Sequence, residues 1–335
     1  MPSSTHTEPR IKIEVVLDED DRRASLYDAT FWTLRQSPKE IPAVWLYDER
    51  GSRLFDEITR LPEYYPTRCE REILAARAPE IAERTRACTL VELGSGTSDK
   101  TRLLLDALVA VGTLERFVPL DVSAEVLRAS AHTVAAEYPS VGIHAIVGDF
   151  ERHLGALPVG GRRLVAFLGS TIGNLDQAHR AGFMTAVASL LLPGDAFLLG
   201  VDLVKDARRL EAAYNDTRGV TEAFVRNGFT AVNRALGADF VSEQFNFSAM
   251  WSSEHEWMDI GFTARSAQTV TIPELDVVVP FVAGERLRFE ISTKFRRHEL
   301  ESELRNAGLG LDAWWTDQNR EFAVLLATRS PAEGG

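Results

Sequence analysis

Residue types that chemistry needs fall in a few short stretches. Glu92-Leu93-Gly94-Ser95-Gly96-Thr97-Ser98-Asp99-Lys100 closes an apolar run with two glycines and opens into the pattern of Leu103, Leu104, Leu105 and Leu108. A strand feeding a helix through Gly-x-Gly makes a nucleotide crevice: glycine lets the backbone approach a ligand where a Cβ would clash, and the helix start offers free N–H groups. A dinucleotide fingerprint needs a third glycine where this chain has Asp99, which argues against a nicotinamide cofactor. Asp121 ends the next apolar run about 25 residues beyond Gly96, near the spacing at which a carboxylate meets ribose hydroxyls. Asp149 follows Gly148 after the run from Ile143 to Val147, placed to accept from an adenine amino group while Phe150 covers the ring. This set suits S-adenosylmethionine, which has an amino acid, a ribose diol and an adenine but no phosphate. For the loop alone a plain glycine turn is the competing reading; Asp121 and Asp149 weigh against it.

A sulfonium donor is already activated, so methyl transfer needs an acceptor held in line more than it needs covalent help. Asn174, directly after Gly173, can donate to a carboxylate, or simply cap a helix. Tyr214 can close on the same carboxylate; by itself it is an aromatic on a helix. In Phe289-Glu290-Ile291-Ser292-Thr293-Lys294, period-two alternation puts Glu290 and Ser292 on one strand face. A carboxylate and a hydroxyl so spaced can grip both nitrogens of an imidazole, while a polar outer face of an edge strand is the alternative. Tyr47, Phe55 and Tyr64 belong to an aromatic-rich segment, by itself ordinary core packing. As a wall over the donor site, their rings stabilise a quaternary ammonium by about 0.5–2 kcal/mol each.

The elements that must position these residues alternate. Strands are expected over Cys88 to Leu93, Phe117 to Asp121, Ile143 to Val147, Arg163 to Leu168 and Ala196 to Val201, with helices near Asp99 to Val109, Ser123 to Tyr138 and His179 to Leu191. That is a doubly wound, Rossmann-like α/β sheet, with ligands at the carboxyl ends of its strands. Asp202 to Glu211 reads as an exposed helix, Gln268 to Ile272 and Leu275 to Val279 as strands, and Trp314-Trp315-Thr316-Asp317 as packing before a last strand from Glu321 to Thr328. The expected organisation is a disordered tail (1–15), a donor-binding domain (68–204 and 294–329) and a smaller α+β amino-acid-binding domain (16–67 and 205–293).

Longer motifs carry a resemblance. Pro62-Glu63-Tyr64-Tyr65-Pro66-Thr67-Arg68, the glycine loop, Gly169-Ser170-Thr171-Ile172-Gly173-Asn174-Leu175 and Asp202-Leu203-Val204-Lys205-Asp206 occur in order, and from about Pro42 to Arg329 the chain resembles the histidine Nα-methyltransferases of ergothioneine biosynthesis. The resemblance implies a class I methyltransferase that trimethylates L-histidine to hercynine. It further implies that Glu290 and Ser292 recognise the imidazole, that Tyr64 contacts the substrate amine, and that Lys100 and Gly94 meet the donor's methionine carboxylate. Without it, Lys100 reads as a solvated helix face. Tyr47 or solvent takes the ammonium protons. In one place the chain departs from the family pattern: Ile260 stands where a methionine is usual, with Met258 two residues earlier, which admits another aromatic amino acid as substrate.

Composition agrees with a small-molecule enzyme. The net charge of −12 speaks against nucleic acid and anionic membranes as partners. Two cysteines outside any Cys-x-x-Cys spacing, a polar start and no long apolar run lead to the expectation of a reduced, cytoplasmic protein, taken as a monomer although nothing in the sequence sets its oligomeric state. Seven histidines without ligand spacing give the expectation of no metal. Two other function classes compete: a nicotinamide-dependent oxidoreductase, and an amino-acid or adenosyl sensor without turnover.

Overall fold

The computed structural model describes residues 10–330. Positions 1–9 and 331–335, read from the sequence as disordered ends, lie outside them. The chain runs β1 (Ile11–Val15), α1 (Glu19–Thr33), β2 (Lys39–Glu40), α2 (Glu49–Ile58) and α3 (Pro66–Thr85). It then alternates through β3 (Thr89–Leu93), α4 (Arg102–Val111), β4 (Arg116–Asp121), α5 (Ala124–Glu137), β5 (Gly142–Val147), β6 (Arg163–Phe167), α6 (Gln177–Leu190) and β7 (Ala196–Asp202). An excursion follows: α7 (Ala207–Tyr214), α8 (Val220–Leu236), β8 (Phe245–Ser252), β9 (Trp257–Ala264), β10 (Gln268–Ile272), β11 (Val277–Phe281) and β12 (Arg286–Thr293). The chain returns with α9 (Arg297–Asn306), β13 (Leu309–Thr316) and β14 (Phe322–Arg329).

Eight strands form the main sheet in the order β1-β5-β4-β3-β6-β7-β14-β13. Neighbours from β1 to β7 are parallel, and β14 runs antiparallel to both β7 and β13. The connections reverse direction at β3, with β4 and β5 on one side and β6 and β7 on the other, so a crevice opens at its carboxyl end. Every residue of β3, β6 and β7 is buried, which is why these stretches read as continuous apolar runs rather than alternating ones. Alternate side chains of β3 enter opposite cores: Leu90 packs under one face and Val91 and Leu93 under the other.

Two expectations are corrected here. Residues 11–15 are not tail but an edge strand, paired Ile11 to Ile143 through Val15 to Val147; five residues of Ile-Lys-Ile-Glu-Val are too short and too mixed to announce themselves. Asp202 does not begin an exposed helix: it is the buried last residue of β7, and the helix starts five residues later with Leu210, Ala213 and Tyr214 buried. The Trp314-Trp315 segment packs ahead of the last strand as expected, with Trp315 buried, and is itself part of a strand, β13.

A second sheet, β2-β12-β9-β8, joins the N-terminal segment to the excursion. Its register slips between Arg288 and Glu290, where Phe289 is an extra residue opposite β9. Gly261 allows this bulge: a Cβ there would lie 2.3 Å from the Leu287 carbonyl oxygen. The Phe289 ring packs on Phe229 (5.2 Å between centroids) and Phe262 (5.5 Å), and would collide with any side chain at Gly228 on α8. The excursion is closed at its base, where Phe295 N–H donates to the Asp202 carbonyl (2.8 Å) and Val204 N–H to the Phe295 carbonyl (3.2 Å).

Candidate functional site

At the end of β3 the backbone turns through Gly94 (φ +66°) and Gly96 (φ +49°), a left-handed region that favours glycine. A Cβ on either would meet no atom within 4 Å, so the loop borders open space. Asp121 pins it: one carboxylate oxygen accepts from Gly96 N–H and the other from Ser123 N–H, both at 2.9 Å. Burial raises the Asp121 carboxyl above its ordinary range against the pull of these donors. Gly148 N–H donates to the Asp121 carbonyl at 3.0 Å, which brings Asp149 alongside. Asp149 accepts from Glu151 N–H at 2.8 Å, and Phe150 is held half-buried on Phe167 and Phe183. The two glycines, both acids and Phe150 thus meet at one end of the sheet. Beneath them Glu92 is buried and held through one oxygen by Thr101; burial pushes its carboxyl up to about 7, and its Oε2, like the Ser95 hydroxyl, has no hydrogen-bond partner among the described residues.

Lys100 is no solvated helix face. It pairs with Glu70, a fully buried carboxylate on α3 that also accepts from Gly169 N–H at 2.7 Å. Gly200 on β7 makes room for that carboxylate, since a Cβ there would stand 2.0 Å from Glu70 Oε1. The segment from Gly169 to Asn174 then links two halves of a site. At one end it is tied through Glu70 to Lys100; at the other, the Asn174 amide donates to Glu290 Oε1 at 2.7 Å. Gly173 permits the contact, because a Cβ would come within 2.8 Å of the Thr293 carbonyl oxygen on β12. Asn174 does not cap a helix: Asp176 caps α6, accepting from His179 N–H.

Glu290 and Ser292 share a face of β12, as alternation requires, and Lys294 completes that face. Ser292 Oγ lies 2.9 Å from the Tyr214 hydroxyl, and Lys294 donates to both, at 2.8 and 2.7 Å. Lys294 also pairs with Asp202 Oδ2 at 2.8 Å, and Asp202 further binds Tyr65 Oη and Lys205. Burial alone would raise the Asp202 carboxyl; Lys294 and then Lys205 outweigh it and hold it below its usual range. Glu290 is pushed up to about 7, mainly by burial, with Lys294 opposing.

The aromatics form one chain of edge contacts: Tyr47 to Phe55 at 5.7 Å, Phe55 to Tyr64 at 6.4 Å, and Tyr64 to Tyr214 at 6.0 Å. Tyr47 keeps 36% of its surface exposed while Tyr64 and Tyr214 are buried. All three phenols are raised well above their ordinary range, first by burial; the negative charge of Glu290 adds to it for each. At neutral pH all three are therefore phenols rather than phenolates. Ile260 lies directly across from Glu290 on β9 and is buried.

Sequence reasoning missed Glu70, Asp202, Lys205 and Lys294. Lys294 had a signal, being the next residue in the Glu290, Ser292 alternation. Glu70 had none: a glutamate within a helix of mixed polarity gives no sign of total burial.

The described residues also bring Cys69, Asp317 and Glu321 within 4.8 Å of one another. Glu321 is held by Arg209 through both oxygens, Asp317 accepts the N–H groups of Asn319, Glu321 and Phe322, and burial pushes the Cys69 thiol up to about 12.

A family model described as histidine-specific, S-adenosylmethionine-dependent methyltransferase matches residues 26–329. The chain is 51% identical over 320 residues to a histidine N-alpha-methyltransferase of Mycobacterium tuberculosis, covering 96% of this chain and all of that one. It is 53% identical over 296 residues to the enzyme of that name from Mycolicibacterium smegmatis, covering 88% of this chain and 92% of the relative. Ergothioneine biosynthesis protein 1 of Neurospora crassa is 32% identical over 300 residues, 88% of this chain but 34% of that longer protein.

Proposed function

Because this chain belongs to the family of histidine-specific, S-adenosylmethionine-dependent methyltransferases, we propose that it methylates the α-amine of L-histidine three times, giving the betaine hercynine and S-adenosylhomocysteine in ergothioneine biosynthesis. The observation that carries the reading is the pairing on β12 of a Glu290 carboxylate held by Asn174 with a Ser292 hydroxyl held by Tyr214, below a continuous aromatic wall.

The loop after β3 fits the donor: two left-handed glycines border open space, and the buried Glu92 Oε2 and Ser95 Oγ have no partner among the described residues. Gly94 and Lys100 would hold its amino-acid end, Asp121 its ribose, and Asp149 with Phe150 its adenine. When bound, the donor supplies a methyl group already activated on a sulfonium, which is why the reaction is read as needing no metal.

The chain's own task is then placement. Glu290 accepts from an imidazole N–H, Ser292 pairs with the second ring nitrogen with Tyr214 behind it, and Asn174 faces the substrate carboxylate. Tyr64 and Tyr47 turn ring and hydroxyl toward the amine, which becomes a permanent cation that aromatic faces stabilise. Their phenols accept hydrogen bonds without taking protons, so the ammonium protons leave to solvent past the partly exposed Tyr47. Among the described residues no helix is long and apolar enough to cross a membrane, and both cysteines are free; a cytoplasmic monomer completes the proposal.

Ile260, opposite Glu290, favours one second reading: methylation of another aromatic amino acid. Mass spectrometry after incubation with donor and each amino acid separates the two. Three successive methyl additions to histidine are expected; methylation of tryptophan, tyrosine or phenylalanine with histidine untouched would overturn the substrate.

A further inference from the structure

Lys294 is a fully buried ammonium with three N–H bonds and three acceptors around it: Asp202 Oδ2 at 2.8 Å, the Tyr214 hydroxyl at 2.7 Å and the Ser292 hydroxyl at 2.8 Å. A lysine ammonium can only donate, so both hydroxyls must receive from it. The two hydroxyl oxygens are also 2.9 Å apart, and one donates to the other. That accounts for one of their two hydrogens. The phenol is the stronger acid and the alkanol the better acceptor, so Tyr214 donates to Ser292. The Ser292 oxygen then takes two hydrogen bonds, and its own hydrogen points away from the cluster, on the strand face it shares with Glu290.

We propose that Lys294 is a positioning residue that locks the Ser292 hydroxyl as a hydrogen-bond donor toward the substrate ring. The pocket then presents one acceptor, Glu290, and one donor, Ser292. It selects a ring with one N–H and one lone-pair nitrogen, the neutral imidazole in a single tautomer. An imidazolium, with two N–H bonds, would meet the Ser292 hydrogen head-on. This inference rests on the proposed histidine pocket and adds to it how the ring is read.

The test uses the full chain saturated with S-adenosylhomocysteine and titrates it calorimetrically with two pairs of probes, β-(2-thienyl)alanine with its 5-thiazolyl analogue and β-(3-thienyl)alanine with its 4-thiazolyl analogue. Each thiazolyl ring differs from its thienyl partner only by a lone-pair nitrogen at one of the two histidine ring-nitrogen positions. The unaltered protein is expected to bind one thiazolyl compound roughly tenfold or more tightly than its thienyl partner, the size of one well-placed hydrogen bond. Lys294→Met should reduce that preference to less than about threefold while S-adenosylhomocysteine affinity stays within about threefold, a split that general loosening of the fold would not give. Tyr214→Phe, which leaves the Lys294 contact to Ser292, should keep the preference even as overall affinity falls. Should Lys294→Met not fold, Ser292→Ala carries the test, since the preference must vanish there. A preference that survives Lys294→Met or Ser292→Ala, or is missing from the unaltered protein while histidine binds, overturns the assignment of Lys294. Failure of histidine itself to bind would instead overturn the proposed substrate.

Discussion

Glu290→Ala removes the carboxylate that would accept the imidazole N–H and leaves the Asn174 amide without the partner it has at 2.7 Å. A hydrogen bond to a charged acceptor contributes about 1.5–3 kcal/mol, and the stranded amide adds of order 1 kcal/mol. Part of this is offset because the buried carboxylate, pushed up to about 7, is protonated in about half the molecules at neutral pH. The net expectation is about 2–3 kcal/mol, or a 30- to 150-fold weaker histidine Kd. The donor half, held by Asp121 on the far side of the Gly169 to Asn174 segment, should bind S-adenosylhomocysteine as before. The pH dependence has a definite sign. Below about 7 the protonated carboxyl no longer accepts freely, so histidine affinity in the unaltered protein should fall on the acid side. In Glu290→Ala that step should disappear, leaving only the titration of free histidine. Calorimetric titrations with each ligand across pH 5.5–8.5, a range of about 1.5 units either side of the group, check this. Equal losses for histidine and S-adenosylhomocysteine, or an acid step that persists in the variant, would refute the placement of Glu290 in the acceptor pocket.

Other expectations follow from single contacts. Lys100→Met leaves the buried Glu70 carboxylate without its cation and should lower stability by about 3–5 kcal/mol in denaturant unfolding, with Glu70→Gln in the same chain recovering much of it. Asp121→Asn cannot accept both Gly96 and Ser123 N–H on carbonyl oxygen, so the glycine loop loosens; S-adenosylhomocysteine affinity should drop roughly tenfold or more while histidine recognition groups are untouched. Gly261→Ala puts a methyl 2.3 Å from the Leu287 carbonyl and should cost about 1–3 kcal/mol, seen as a lower thermal midpoint together with weaker histidine binding, because the bulge sets the direction of Glu290.

How much of this was legible in the sequence depended on whether a residue's partner was local. The main sheet was readable because buried parallel strands are continuous apolar runs, and the glycine loop because its conformation is encoded in its own two glycines. Glu290 and Ser292 were readable as a face because alternation is a property of one strand. Their partners were not: Asn174, Tyr214 and Glu290 lie on three elements far apart in the chain, and without the family resemblance Asn174 reads best as a helix cap. The edge strand at 11–15 and the burial of Asp202 and Glu70 escaped for the same reason, since each depends on what packs against it. A lysine at 100 looks like a surface residue until the carboxylate on α3 is known to point at it.

The closure at the base of the excursion bears on how such an enzyme can be rebuilt. The chain leaves the main sheet at Asp202 and comes back against its end at Phe295, before α9 and β13, and the Lys294–Asp202 ion pair with two backbone hydrogen bonds clamps those points together. Everything between is therefore a cassette whose two ends meet at one neck, where its loop-closure entropy is met, and whose sheet is completed by β2 of the N-terminal segment. A graft exchanging this cassette between relatives should splice outside Asp202 and Phe295 and carry both halves of the clamp from the same parent. Cutting between them would mate a lysine from one lineage with whatever carboxylate the other supplies, and the grafted lobe would arrive untied.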